Sequence, residues 1–314
     1  MGISLNIVDA GARYGIHPSL DELKDCADFY LFEIDKPEAQ RLSEKYKRFK
    51  NINVYNLGLY SSNSINKMNM TRHPGLTSFL DVDKAVVDSL DYMKEESSVV
   101  SVTEIECVAL DEFLTNDIHF MKLDTEGTEL EILKGATGHL KKDIIGIRAE
   151  TRIRPFYKGQ AFVWDINHLL LTFGFELINI GYEGRGIKKS KFTLPDKYGI
   201  VGGFDAVWTK KKSLLLDTSL YSDDEIRANT IRTAIFYMLN NATDCALDIL
   251  IHTVDSLGLT FEKYMEDPIF LHLMKQVEKL FYYLVRLPYF ERKELDAIFA
   301  KIFYKGMKFS FYQQ

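Results

Sequence analysis

The sequence predicts an α/β fold, with a mostly parallel sheet, an antiparallel edge strand and a C-terminal helical extension. Three observations carry that expectation. Short apolar runs end at acidic residues beside turn-forming residues, first at residues 5–9 and again at 29–35. Helical patterns separate the runs, and such alternation builds a parallel sheet with helices on its faces. Near Lys210 the alternation stops, and apolar stripes at helical spacing replace it.

Taken in order, residues 5–9 (LNIVD) form the first strand, followed by the turn AGARYG. Pro18 stands near a helix start, with Leu20, Leu23 and Ala27 at helical spacing. Residues 29–35 make a second strand, Ala39 and Leu42 mark the next helix, and a third strand in NINVYNLGLY ends near Gly58. Residues 61–95 show weak periodicity and are expected to be loop and short helix over the sheet edge. Residues 99–108 are extended, and 110–114 make one helical turn. The strand at 118–124 then gives way abruptly to a helix whose apolar face holds Leu130, Ile132, Leu133, Ala136 and Leu140. A strand at 144–150, a helix at 161–173 stopped by Gly174, a strand in FELINIG and an edge strand in GGFDAVWTKK complete the first domain, placed at 1–212.

The extension, 213–314, opens with a capping box at Ser222 and Glu225. Ile269, Leu273, Val277, Leu280 and Leu284 form one stripe, and Leu295, Ile298, Phe299, Ile302 and Phe303 another. Such stripes pack helices together or form a homo-oligomer surface.

With 314 residues, 46% of them hydrophobic and 27% charged, the chain can bury a full core. A formal net charge of -6 provides no global field for a nucleic-acid backbone, so no nucleic-acid partner is expected. The three cysteines, Cys26, Cys107 and Cys245, have no metal-ligand spacing. No secretory pattern opens the chain and no apolar run reaches the roughly 20 residues of a membrane span, so a cytoplasmic protein is expected.

Parallel sheets bind ligands at the carboxyl ends of their strands. There the first strand offers Asp9, Gly11 and Gly15, the glycines permitting close backbone approach. Asp9 either meets an amino group directly or holds the loop through backbone donors. The second strand ends in Glu33 and Asp35, either of which suits a ribose diol, Glu33 being preferred. The loop is not GxGxxG, which weakens a dinucleotide reading. An adenosyl cofactor with an amino-acid tail fits these residues.

The run from Asp9 to His17, Phe32-Glu33, residues 110–113 and above all Met121-Lys122-Leu123-Asp124-Thr125-Glu126-Gly127-Thr128-Glu129, with Leu133-Lys134-Gly135-Ala136, resemble the FkbM family of methyltransferases. The resemblance covers residues 1 to about 210. It implies a class I methyltransferase, Rossmann-like fold and S-adenosylmethionine-dependent O-methylation of sugars or natural-product hydroxyls. It also implies that Asp9 and Gly11 belong to the cofactor loop, that Glu33 faces the ribose, and that Asp124 and Glu126 form the acidic motif after the central strand.

A hydroxyl acceptor must lose a proton. Asp124, Glu126 and Glu150 are the candidates to handle it, and His73, in TRHPG, is the candidate histidine. His168 is expected to be structural and His17 to shape the cofactor loop. An Asp-Glu cluster also resembles part of a magnesium site, but no further ligand spacing supports one and no metal is assigned. Glu129 and Glu131 are expected on a helix surface. Arg148, Arg152 and Arg154 either bind an anionic acceptor or pair with nearby acids.

Overall fold

The computed structural model describes residues 2–89, 93–186 and 200–284, together with Lys293 and Ala297. The chain divides into two compact units. One comprises Asn6–Asp21 and Asp28–Lys210; the other comprises Met1–Leu5, Glu22–Ala27 and Lys211–Gln314, a discontinuous set that a single cut near 212 does not express.

The first unit runs β1 (Asn6–Ala10), β2 (Asp28–Phe32), α1 (Lys36–Tyr46), β3 (Ile52–Tyr55), β4 (Gly58–Leu59), β5 (Ser64–Thr71), α2 (Lys84–Val87), β6 (Val99–Val108), α3 (Leu110–Phe113), β7 (Phe120–Leu123), α4 (Glu129–Lys134), α5 (Thr137–Lys142), β8 (Gly146–Arg152), α6 (Val163–Thr172), β9 (Phe175–Gly186) and β10 (Ile200–Lys210). Among the described residues, seven strands form one sheet in the order β3-β2-β1-β7-β8-β10-β9. The first five are mutually parallel, while β10 is antiparallel to both β8 and β9. The antiparallel strand therefore lies one place in from the edge, and β9 is the edge strand. Sequence order alone suggested the reverse. Trp208 and Ala206 explain the inner position, since both are fully buried in the main core.

One face of the central strands is apolar, with Val8, Ala10, Met121, Leu123, Ile147 and Ala149 packed against Ile132, Leu133 and Leu140 from α4 and α5. The helix expected after β7 is broken in two. At the break, a Cβ on Gly135 would stand 2.1 Å from the Tyr60 carbonyl oxygen, so the helix surface there lies directly on backbone.

The stretch expected to be loop at 61–95 contains β5, which pairs antiparallel with β6; β6 in turn pairs parallel with β4 in a separate three-stranded sheet. The alternation of β5 was obscured because Met68 and Thr71 are its only fully buried side chains. A 3-10 turn at Pro74–Leu76 follows, and Leu76 and Val87 pack with Phe156 and Tyr157. That cluster fastens the insertion beside the end of β8.

The second unit contains α7 (Lys212–Leu215), α8 (Asp223–Leu239), α9 (Thr243–Asp255) and α10 (Pro268–Leu284). The capping box forms as expected: Ser222 N–H donates to Glu225 Oε2 at 2.8 Å and Glu225 N–H to Ser222 Oγ at 3.4 Å. Ile269, Leu273 and Val277 are buried. The amino-terminal segment joins this unit, with Ile3 N–H donating to Asp267 and Arg232 Nε to the Ser4 carbonyl. The stripe from Leu295 to Phe303 and the extreme tail lie outside the described residues. Among the described residues no helix is long and apolar enough to cross a membrane.

Candidate active site

Strand register assembles the site. Ala10 is paired with both Phe32 and Leu123, Leu123 with Ala149, and Glu150 with Asp205. One residue further along, Glu33, Gly11, Asp124 and Glu150 therefore stand side by side at the carboxyl edge, each strand about 4.8 Å from the next. Backbone bonds hold the row: Gly11 N–H donates to the Phe32 carbonyl at 3.1 Å and Asp124 N–H to the Ala10 carbonyl at 3.0 Å. Gly11 takes φ +76°, and a Cβ there would stand 1.9 Å from the Asp124 carbonyl oxygen. Only glycine fits between these two loops.

Above this row opens a cleft of about 580 Å³. Gly11, Gly15, Glu33 and Asp35 line one part; Asp124, Glu126, Glu150 and Arg152 line another; Met68, Met70, Thr77 and Phe79 from the insertion also face it. Glu33 is buried and accepts from Asp35 N–H at 2.8 Å through Oε1; burial pushes its carboxyl pKa up. Asp35 is committed elsewhere, as the N-cap of α1 and as the partner of Arg13 at 3.0 Å, which favours Glu33 over Asp35 for a diol.

Asp9 does not line the cleft. Fully buried beneath it, its Oδ2 accepts from His17 N–H at 3.2 Å and its Oδ1 stands 3.2 Å from Lys122 Nζ. Of the two roles expected for Asp9, this geometry provides the holding of the loop. Burial pushes its pKa up and Lys122 pulls it down, with a net rise. Lys122 also stands 3.4 Å from Asp124 Oδ2. A lysine between Met121 and Leu123 in a buried strand was the available signal for this ion pair.

Glu126 reaches the cleft through an unusual backbone. It takes φ +56°, followed by Gly127 at φ +102°. Ser78 Oγ donates to the Glu126 carbonyl at 2.7 Å. Glu129, expected on the surface, is instead buried: its carboxylate accepts from Thr125 N–H at 2.8 Å, Thr125 Oγ1 at 2.9 Å and Gly127 N–H at 3.1 Å. It is the clamp that shapes the turn.

Arg152 Nη2 donates to Glu126 Oε2 at 2.9 Å and lies 3.1 Å from Glu150 Oε1. Tyr157 Oη is 2.9 Å from the same Glu126 oxygen. Burial, only partly offset by Arg152 and reinforced by the charge of Asp124, raises the Glu126 carboxyl to about 7. Glu150 is pushed well up, first by burial and then by Glu126. Asp124 goes the other way: burial opposes its ionisation, but Lys122 and a hydrogen bond with Glu150 hold its pKa below the usual value. Environments that push neighbouring carboxyls apart are those that separate acid from base.

The carboxylates of Asp124, Glu126 and Glu150 each offer one oxygen within 4.8 Å of the others, a spacing that suits a divalent cation. Arg152 already supplies positive charge there. Arg148 Nη2 and Nε both donate to Asp205 Oδ2, at 2.6 and 3.1 Å, so two of the three expected arginines neutralise local acids. His73 does not line the cleft. It is exposed, and its Nδ1 accepts from Gly75 N–H as the cap of the 3-10 turn. Pro74 and Gly75, its neighbours, do line the cleft.

Residues 9–177 match the methyltransferase FkbM domain. The chain belongs to the FkbM methyltransferase family. Among solved structures, an FkbM methyltransferase from Methylobacillus flagellatus KT aligns at 16% identity and TM-score 0.40, over 66% of this chain and 43% of that one. An rRNA methylase from Streptococcus thermophilus aligns at 9% identity and TM-score 0.35, over 67% of this chain and 89% of that one. The alignment thus spans less than half of the M. flagellatus FkbM chain. No curated protein matches. The FkbM match includes Asp9, Gly11, Glu33, Asp124, Glu126 and Glu150 but ends before β10, so Asp205 and Phe204 on the cleft wall lie beyond it.

Proposed function

We propose that this chain transfers a methyl group from S-adenosylmethionine to a hydroxyl of a sugar, glycan or natural-product-like acceptor. The observation that carries the reading is the register that puts Glu33 and the Asp124–Glu126–Glu150 group on one cleft. The residues present fit the cofactor. The cleft volume of about 580 Å³ lies in the range for small-molecule and cofactor sites, and bulky side chains do not fill it. Glu33 keeps its second oxygen for a diol, because its Oε1 is the one engaged by Asp35. Gly11, Gly15 and Ile16 would border the cofactor, and Asp124 would meet its ammonium.

When bound, S-adenosylmethionine supplies an electrophilic methyl carbon on sulfonium. The protein's contribution is alignment and proton handling. Glu126, poised near neutrality, takes the hydroxyl proton at a carboxylate oxygen, with Arg152 and Tyr157 fixing the orientation of that carboxylate. Glu150, whose proton affinity is raised by burial and by Glu126, shares a hydrogen bond with Asp124 that favours the Asp124 carboxylate. Met68, Met70 and Phe79 give the cleft an apolar wall.

A nicotinamide dinucleotide is less well served. Gly11 and Ala12 N–H both donate to the Phe32 carbonyl, so the turn does not turn those donors toward a diphosphate. The test is incubation with methyl-labelled S-adenosylmethionine and fractionated metabolites and glycans. Label in a carbohydrate or hydroxylated product is expected, and its loss with Glu126→Gln. Label confined to nitrogen or to nucleic acid would contradict the reading.

A further inference from the structure

Between β1 and the Pro18–Leu23 3-10 segment, the backbone N–H groups from Gly11 to His17, that of Arg13 excepted, donate inside the protein. Gly11 and Ala12 N–H donate to the Phe32 carbonyl, Gly15 to the Ala12 carbonyl, Tyr14 to Glu38 Oε1, Ile16 to Tyr46 Oη and His17 to Asp9 Oδ2. A carboxylate arriving at this turn must therefore be met chiefly by side chains. Arg13 is engaged by Asp35, and Lys122 by Asp9, Asp124 and the Gly11 carbonyl.

His17 is different. It lines the cleft at the end of the turn. Its Nδ1 accepts from Ser19 N–H at 3.2 Å and lies 2.7 Å from Ser19 Oγ. An Nδ1 that accepts from a backbone N–H carries no proton, so the proton of the neutral ring is on Nε2. No hydrogen bond to Nε2 is found among the described residues. Burial, then the charges of Arg148 and Lys122, push the His17 pKa down to about 4, so the ring stays neutral near pH 7. Asp124, whose charge is felt by His17, presents a carboxylate to the same cleft.

We infer that His17 Nε2–H reads the α-carboxylate of the methyl donor while Asp124 holds the α-ammonium, the two side chains together forming the amino-acid end of the site. This rests on the S-adenosylmethionine reading and deepens it. A neutral donor suits the position, since a further cation beside Lys122 and Arg148 would be repelled.

Calorimetry with S-adenosylhomocysteine and its decarboxylated analogue, S-adenosyl-3-thiopropylamine, tests it without turnover. Wild-type protein is expected to prefer S-adenosylhomocysteine about tenfold or more, as for a hydrogen bond to a charged group. His17→Ala should remove that preference by weakening S-adenosylhomocysteine alone, and His17→Gln, which keeps an N–H donor, should restore part of it. Equal wild-type affinities, or equal losses for both ligands in His17→Ala, would overturn the inference while leaving the cofactor reading intact. Binding of neither ligand to folded wild type would overturn both.

Discussion

Arg152 donates to Glu126 at 2.9 Å while lying 3.1 Å from Glu150, so one guanidinium is shared between two carboxylates that converge from the turn after β7 and from β8 itself. The arrangement leaves a surplus of negative charge in a buried place. Burial first, and then the neighbouring negative charge, raises Glu126 to about 7 and pushes Glu150 well above the usual carboxylate range.

Turnover should therefore rise with pH through about 7 as Glu126 becomes able to accept a proton. Glu126→Gln is expected to lower kcat by roughly 10² to 10⁴ and to flatten that limb, with cofactor affinity retained. A pH–rate profile on the identified acceptor checks both. The same group has a stability signature of defined sign. Its pKa is raised from 4.5 to about 7 on folding, so the native state retains a proton that the unfolded chain releases. Its contribution to stability is complete below 4.5 and declines as pH rises toward 7; urea midpoints of Glu126→Gln should lack that decline.

Removing Arg152 should act in two ways. Arg152→Gln leaves the buried Glu126 without its cation, which costs about 3–5 kcal/mol in chemical denaturation at pH values above 7, where Glu126 is ionised. It also takes away the charge that lowers the proton affinity of Glu126, so the acid limb of the rate profile should move to higher pH by roughly one unit or more. An unmoved limb would show that another group titrates there.

Glu129→Ala should strand the Thr125 and Gly127 N–H donors and cost about 1–3 kcal/mol in urea unfolding. Because the clamp shapes the turn in which Glu126 adopts φ +56°, turnover should fall as well, and Glu129→Gln should recover part of each loss. Stability loss with unchanged turnover would make Glu129 purely structural.

Gly11→Ala places a Cβ at 1.9 Å from the Asp124 carbonyl oxygen and demands φ +76° of an L-residue. Loss of cofactor binding together with destabilisation of about 1 kcal/mol or more is expected. Retained affinity in thermal-shift titrations would place the cofactor elsewhere.

The strand ends were legible in the sequence because buried strands leave continuous apolar runs: the runs ending at Asp9, Glu33, Asp124 and Glu150 form adjacent strands of the sheet. Distinguishing the side chains at those ends required the fold. Asp9 and Asp124 both follow apolar runs, yet one pairs with Lys122 under the floor and the other faces the cleft. The burial of Glu129 was hidden because its helical position resembles an exposed first turn, and only the tight Thr125–Gly127 path brings donors onto its carboxylate. Arg152 and Tyr157 meet Glu126 across 26 and 31 residues of chain, a distance over which local pattern carries no information. His73 shows the converse: a histidine beside Pro-Gly satisfies its own turn.

The central claim is that Glu33 and the acidic group after β7 share one cofactor cleft. Isothermal titration of S-adenosylmethionine into wild-type and Glu33→Ala protein tests it most directly. Saturable one-site binding to the wild type, weakened at least about tenfold in a folded Glu33→Ala, is the result expected for a lost charge-assisted diol contact. Absence of binding to the folded wild type, or an affinity unchanged by the substitution, would contradict it.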